Sequence, residues 1–448
     1  MIERQVKEGT LMFDGCSTFE LAKKFGTPLY VLSESMIKER CSEIRRDFIN
    51  KYKNVRAVYA GKAFLTMAMC KIIEREDLGL DVVSGGELYT AIKAGFPMER
   101  IIFHGNNKTF EELQLGVENQ VGRFVVDNLY ELDLLQAIAK EQNKKASILF
   151  RVSPGVQGKT HKYISTGQKD SKFGIPLDMG IITAAIKKAM DYSHIELMGF
   201  HFHLGSQLFE NDIYVMGIKA IIELMKFAQA EFGFITKELN VGGGFGIYYT
   251  QADQPKPLTF FVDRVMETVH EKCAKADLPL PQIIIEPGRW IVGEAGITLY
   301  TIGVVKDIPG IRTYVSIDGG MPDNPRPALY DAKYEALVVN KMDQPLSETV
   351  TLAGKCCETG DILIWDLKVP KIESGDTLAV LSTGAYNYSM ASNYNRIPRP
   401  AVVLLSNGKA EIIVERETYE DVLERDRIPE YLKKKNNDEM EGAAITLL

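Results

Sequence analysis

Long apolar runs are missing from this 448-residue chain, and so is any excess of positive charge. Without a stretch of about 20 apolar residues, no membrane-spanning helix is expected. Lys and Arg number 53 against 60 Asp and Glu, and a net charge of -7 offers a polyanion no basic footprint, so nucleic acid is not expected as a partner. Cysteine is scarce. The six, at positions 16, 41, 70, 273, 356 and 357, lack the spacing of a disulfide framework. Met1-Ile2-Glu3-Arg4-Gln5-Val6-Lys7 has no apolar core of the kind a signal peptide needs, so a cytoplasmic location with reduced thiols is expected. Any special cysteine should then be a reactive thiol. Internal repeats and low-complexity blocks are absent as well. What remains is 45% hydrophobic and 25% charged, a soluble globular composition with room for one large domain and a smaller one.

Apolar strand-like runs alternate with amphipathic segments from about residue 57 to 290. The runs are Val55-Ala60, Gly79-Ser84, Ile101-Gly105, Arg123-Asp127, Ser147-Pro154, Leu197-Gly205, Leu239-Gly243 and Gln282-Glu286. Helical patterns lie between them at Leu65-Arg75, Gly86-Ala94, Leu129-Glu141, Met179-Met190, Tyr214-Gln229 and Leu258-Ala276. Eight strands interleaved with helices predict a (β/α)8 barrel with its chemistry at the C-terminal strand ends. Polar residues do gather there: Lys62, Ser84, His104 with Asn106 and Asn107, Asp127 with Asn128, Arg151, His203 with Ser206, glycines 242 to 244, and Glu286 with Arg289. A doubly wound open sheet would put its glycine loop after the first strand, whereas this one follows the seventh.

Past Gly293 the chain turns to short β-rich segments at Ile297-Val305, Thr313-Asp318, Thr349-Ala353, Thr377-Ser382, Ala401-Leu405 and Ala410-Val414. These predict a C-terminal all-β domain of Greek-key barrel or sandwich type, which the strand-like Pro28-Ser33 is expected to join. The expected division is 36–293 for the α/β barrel and 1–35 with 294–448 for the β domain. The charged stretch Lys433-Lys434-Lys435-Asn436-Asn437-Asp438-Glu439 reads as a solvated tail or exposed helix.

Three features carry chemistry. Lys62 closes Tyr59-Ala60-Gly61, and a lysine at a buried strand end can lose its proton and attack the aldehyde of pyridoxal 5'-phosphate, although most such lysines are solvated charges. Gly242-Gly243-Gly244-Phe245-Gly246 follows the seventh strand, the usual phosphate position of this barrel, though a glycine run also serves a tight turn. Glu286 ends the apolar Ile283-Ile284-Ile285, a costly place for a carboxylate without a partner. A pyridinium nitrogen would be that partner, keeping the ring cationic as an electron sink, and an ion pair with Arg289 is the structural alternative. His201 and His203 stand two apart on one expected strand face. No third histidine or cysteine is spaced to complete a zinc site, so no metal is expected, and His201 reads as a core histidine while His203 would stack on a flat cofactor.

Together with Gly79-Leu80-Asp81-Val82-Val83-Ser84-Gly85-Gly86-Glu87-Leu88, Phe103-His104-Gly105-Asn106-Asn107-Lys108, Ser171-Lys172-Phe173-Gly174, Asp318-Gly319-Gly320-Met321, Arg326-Pro327-Ala328-Leu329-Tyr330, Cys357-Glu358 and Gly384-Ala385-Tyr386, these motifs make the chain resemble the diaminopimelate decarboxylases. They are pyridoxal-phosphate enzymes of the alanine-racemase-like fold type. The resemblance implies that Lys62 carries the cofactor, His203 stacks on its ring and Glu286 pairs with its nitrogen. It implies further that Ser206, Gly243, Gly244, Gly288, Arg289 and Tyr386 hold its phosphate region. By the same likeness Arg289, Arg326, Tyr330, Glu358 and Tyr386 bind substrate, and Cys357 donates a proton; alignment on Glu358, Gly360 and Asp361 selects it over Cys356. The family builds each site from two chains, so a homodimer with shared active sites is implied.

This sequence departs from the family pattern at Gly61, at Phe64, where asparagine is usual, and at Lys355, where proline is usual. The implied activity is decarboxylation of meso-2,6-diaminopimelate to L-lysine. Two other readings stay open: the same chemistry on ornithine, arginine or a D-diamino acid, and a non-catalytic cofactor-binding regulator.

Overall fold

The structure, a computed structural model, describes residues 5–155 and 171–433. Residues 1–4 and the charged stretch beyond Lys433 lie outside the described residues. Eight parallel strands form the larger unit: Val55–Ala60, Gly79–Val82, Ile101–Phe103, Arg123–Val126, Ala146–Ser153, Ile195–His201, Glu238–Asn240 and Gln282–Ile285. Each pairs with the next, and the eighth pairs back onto the first, which closes a (β/α)8 barrel. The period-2 alternation of the strands decides which side chains fill it. Val58, Ile102, Val125, Leu149 and Ile284 form a separate buried cluster of their own. Ala57 and Tyr59, on the opposite face of the first strand, join the larger core that includes residues of the surrounding helices.

Several polar residues at the strand ends start helices. The Ser84 hydroxyl accepts from the Glu87 N–H at 3.2 Å and caps Gly85–Ala94, and Asn128 accepts from the Glu131 N–H at 2.9 Å and caps Leu129–Glu141. Thr109 and Glu112 make a reciprocal capping box that opens Phe110–Glu118, a helix absent from the periodicity reading although its Thr-x-x-Glu signature is in the sequence. The second and fourth strands therefore turn at once into helices, whereas the sixth and seventh are followed by longer loops, 202–211 and 241–257, that face the barrel mouth.

The second unit is sheet-rich. Its central strand, Gly296–Ile308, bends at a bulge between Ile302 and Val305, so that its first half pairs with Thr377–Val380 and its second half with Arg312–Ile317. Leu29–Ser33 lies between this strand and Ala401–Ser406, antiparallel to the former and parallel to the latter. Ala336–Val338 and Ile362–Val369 complete the sheets and were not expected from the sequence. Leu29, Val31, Ile297, Leu299 and Val403 bury their apolar side chains in one cluster with Leu11, Phe13 and Leu21 of the N-terminal hairpin and helix.

Candidate active site

A cavity of ≈ 700 Å³ opens at the C-terminal mouth of the barrel, between it and the sheet-rich unit. Lys62, Asp81, His104, Arg151, His201, His203, Gly243, Glu286 and Arg289 line it from the ends of seven strands, and Arg326, Tyr330 and Tyr386 line it from the second unit. Gly288 draws the eighth strand's loop onto the first strand: a Cβ there would lie 2.9 Å from the Ala60 Cβ. Lys62 follows in a single 3-10 turn, Gly61–Ala63. Its neighbours Ala60, Gly61 and Ala63 are buried, but the Lys62 side chain is exposed, which corrects the expectation of a desolvated lysine.

Glu286 is buried and held by three donors. His104 Nε2 lies 2.7 Å and Asn240 Nδ2 2.6 Å from its Oε1, and His201 Nε2 lies 3.2 Å from its Oε2. Arg289, the partner considered from the sequence, goes elsewhere. Burial works against the Glu286 anion, but the two histidines outweigh it and hold the carboxyl well below the usual carboxylate range. For His104, burial opposes the charge while Asp81 and Glu286 more than offset it, so its pKa rises. Burial takes His201 down to about 4 and pushes Asp81 up to about 6. His104 and Asn240 were missed as partners because their strands are far apart in sequence. The same convergence corrects the argument against a third metal-type ligand: His104, His201 and Glu286 offer ligand atoms within 4.8 Å of one another. Both histidine nitrogens are hydrogen-bonded to the Glu286 carboxylate.

The sixth strand ends at His201, so His203 lies past it in the following loop and not on the same strand face. It still lines the cavity, and burial, then Lys62 and Arg151, hold it well below the ordinary histidine range, in its neutral form. The glycine turn packs against this loop. Gly242 has φ +70° and Gly244 φ +104°, and a Cβ on Gly243 would sit 2.0 Å from the Glu286 carbonyl oxygen. Arg289 is buried; it donates from Nη1 to the Tyr249 hydroxyl at 2.6 Å and from Nη2 to Ser206 Oγ at 3.0 Å. Its guanidinium lies 4.6 Å from the centre of the Tyr386 ring, and Tyr386 itself holds φ +61°, an uncommon conformation for a tyrosine.

Two expected site residues are not brought to this cavity within one chain. Cys357 and Glu358 are exposed in the turn after Gly354 and do not line it. Phe64 does not line it either. Its ring is 2% exposed and packs edge-on against Tyr388 at 5.6 Å, so this departure reshapes the core and not the site. Lys355 is exposed, and its N–H donates to the Gly319 carbonyl at 2.9 Å, a bond that proline could not make.

A family model described as "Pyridoxal-dependent decarboxylase, pyridoxal binding domain" matches residues 34–293. The diaminopimelate decarboxylase of Bacillus subtilis (strain 168) is 50% identical over 423 residues, 94% of this chain and 96% of that protein. That of Bacillus methanolicus is 50% identical over 410 residues, 92% and 95% of the two chains. Among solved structures, diaminopimelate decarboxylase from M. jannaschii in co-complex with L-lysine superposes with a TM-score of 0.90 at 37% identity, covering 96% of this chain and 98% of that one. A barrel mouth furnished in this way, and likeness over nearly the whole length of such relatives, lead to one conclusion: the chain belongs to the diaminopimelate decarboxylase family of pyridoxal-dependent decarboxylases.

Proposed function

We propose that this protein decarboxylates meso-2,6-diaminopimelate to L-lysine and CO2, using pyridoxal phosphate. The observation that carries the substrate assignment is a pair of buried guanidiniums, Arg289 and Arg326, lining the same cavity as Lys62 and Glu286. Neither forms an ion pair with a carboxylate among the described residues; their polar contacts are Tyr249, Ser206 and Tyr334. Two such cations suit a substrate with a second carboxylate, and ornithine or arginine has none to offer.

The residues present fit the cofactor. Arg289 Nε and Asp81 Oδ1 are buried without a hydrogen-bond partner, and the Gly242–Gly244 turn leaves no side chain between backbone and cavity. Lys62 would hold it covalently, Ser206, Gly243, Gly244, Gly288, Arg289 and Tyr386 its phosphate region, and His203 its ring face. When bound, pyridoxal phosphate supplies an electron sink for the bond broken at the substrate's Cα. Glu286 keeps an anion at the barrel floor, where it favours a protonated ring nitrogen. Arg326, Tyr330 and Arg289 orient the far end of the substrate, Glu358 takes its distal ammonium, and Cys357 delivers a proton to Cα.

Because Cys357 and Glu358 stand exposed outside their own chain's cavity, a second copy is the proposed source of both, in a homodimer with shared sites. The proposed domain division is 36–293 against 1–35 with 294–448. It is supported by the pairing of Leu29–Ser33 with the strands Gly296–Ile308 and Ala401–Ser406. No helix among the described residues is long and apolar enough to cross a membrane. Six free thiols support a cytoplasmic location. The test is CO2 release from purified holoenzyme offered meso-diaminopimelate, ornithine, arginine and D-lysine side by side; preference for any of the last three overturns the substrate assignment.

A further inference from the structure

Arg289 and Arg326 are 7% and 8% exposed, and two like charges buried together repel unless something holds them. Among the described residues, no carboxylate does. The nearest acid on the loop, Asp253, is engaged by the backbone N–H groups of Tyr249 and Thr250 at 3.0 and 2.9 Å. What both guanidiniums meet is a tyrosine that neither periodicity nor motif singles out. Tyr249 is 6% exposed and follows the glycine turn. Its hydroxyl accepts from Arg289 Nη1 at 2.6 Å, while the Arg326 guanidinium lies 5.1 Å from the centre of its ring. Tyr334 packs edge-on against Tyr249 at 5.3 Å and accepts from Arg326 Nη1 at 2.5 Å. Both arginines thus touch one phenol, by hydrogen bond or by ring face, and the second phenol braces the stack.

We propose that Tyr249 is a positioning residue for the carboxylate-binding end of the site, its phenol tying Arg289 and Arg326 together so that both guanidiniums face one incoming carboxylate. The inference rests on the substrate reading above. The two cations also draw the Tyr249 hydroxyl below the ordinary phenol range although burial alone would raise it, which strengthens the tie. An arginine pair without this strut has more conformational freedom, and ordering it would fall on substrate binding. The device acts on recognition of the far carboxylate and not on the bond broken at Cα.

L-Lysine keeps the carboxylate that decarboxylation spares, and cadaverine is the same molecule without it. Competitive inhibition of the wild-type and Tyr249→Phe holoenzymes by each compound therefore isolates the effect. Tyr249→Phe removes one oxygen and retains the ring. The expected result is a rise of roughly tenfold or more in the inhibition constant for L-lysine and in KM for meso-diaminopimelate. The cadaverine constant should stay within about twofold, and kcat within about threefold. Cadaverine is the internal control for folding. Equal weakening of both inhibitors, or a fall in kcat with KM unchanged, overturns the positioning role. A wild type that discriminates L-lysine from cadaverine while Tyr249→Phe matches it overturns this inference alone. A wild type that binds the two equally overturns the substrate reading and this inference with it.

Discussion

Replacing His104 with leucine tests the charge arrangement at the barrel floor. In the native protein His104 lies 2.7 Å from Glu286 Oε1, and its Nε2 is 3.9 Å from Asp81 Oδ1, so one imidazolium serves two buried carboxylates. Breaking a buried charged pair by removing one partner costs about 3–5 kcal/mol. Glu286 keeps Asn240 at 2.6 Å and His201 at 3.2 Å, which places the expected loss nearer about 2–3 kcal/mol, the range for one hydrogen bond to a buried charge. The sign with pH follows from the direction of each shift. His104 has a raised pKa in the folded state, so its contribution is complete below the unfolded value of about 6.5 and is lost as pH rises through the folded one. Glu286 has a depressed pKa, so its contribution is present above about 4.5 and is lost only as pH falls well below that. Asp81, pushed up to about 6, adds its share only as it ionises, so the gap in stability between wild type and His104→Leu should be widest near pH 6.5 and should narrow as pH rises above that. Urea denaturation of the two apo-proteins between about pH 5 and 8 measures it. A gap that is absent, or that goes on widening as pH rises above about 6.5, would refute the reasoning.

Lys62→Ala should abolish the near-visible absorbance given by cofactor linked at this lysine, measured on purified protein after reconstitution and dialysis; retained absorbance would reassign the anchoring residue. Cys357→Ala should slow turnover by at least about 100-fold, the usual scale of a lost general acid, while leaving that absorbance in place. In mixed dimers with Lys62→Ala it should restore one competent site, which a site built from a single chain cannot do. Phe64→Asn, which restores the residue usual in the family, should destabilise the protein by about 3 kcal/mol in thermal unfolding, because it empties a buried aromatic position and brings in an amide. Substrate preference should not change.

Much of the fold was legible because its signals are local. Each of the eight strands falls within a few residues of an apolar run, since a strand buried on both faces must be apolar throughout. Leu129–Glu141 and Leu258–Lys275 declared themselves by an apolar stripe. Ala336–Val338 is too short for any periodicity, and Ile362–Val369 breaks its alternation with exposed Trp365 and Asp366, so both needed the sheet around them to exist. The site was legible to the extent that single residues announce chemistry. Lys62, Glu286 and the glycine turn could be named in advance, but Ser84 and Asn128, which look alike as polar strand ends, turned out to cap helices.

Residue type and local spacing were enough to specify a barrel, a β-rich partner unit and a set of chemically competent side chains, because burial and backbone hydrogen bonding constrain each segment by itself. Who meets whom was decided by tertiary structure. His104, His201 and Asn240 close around Glu286 from the third, sixth and seventh strands. Tyr249 meets Arg289 where two barrel loops converge, and Arg326 only where the barrel and the β domain fold against each other. Those contacts join points far apart along the chain, and no local pattern encodes a distance that exists only after the barrel has closed.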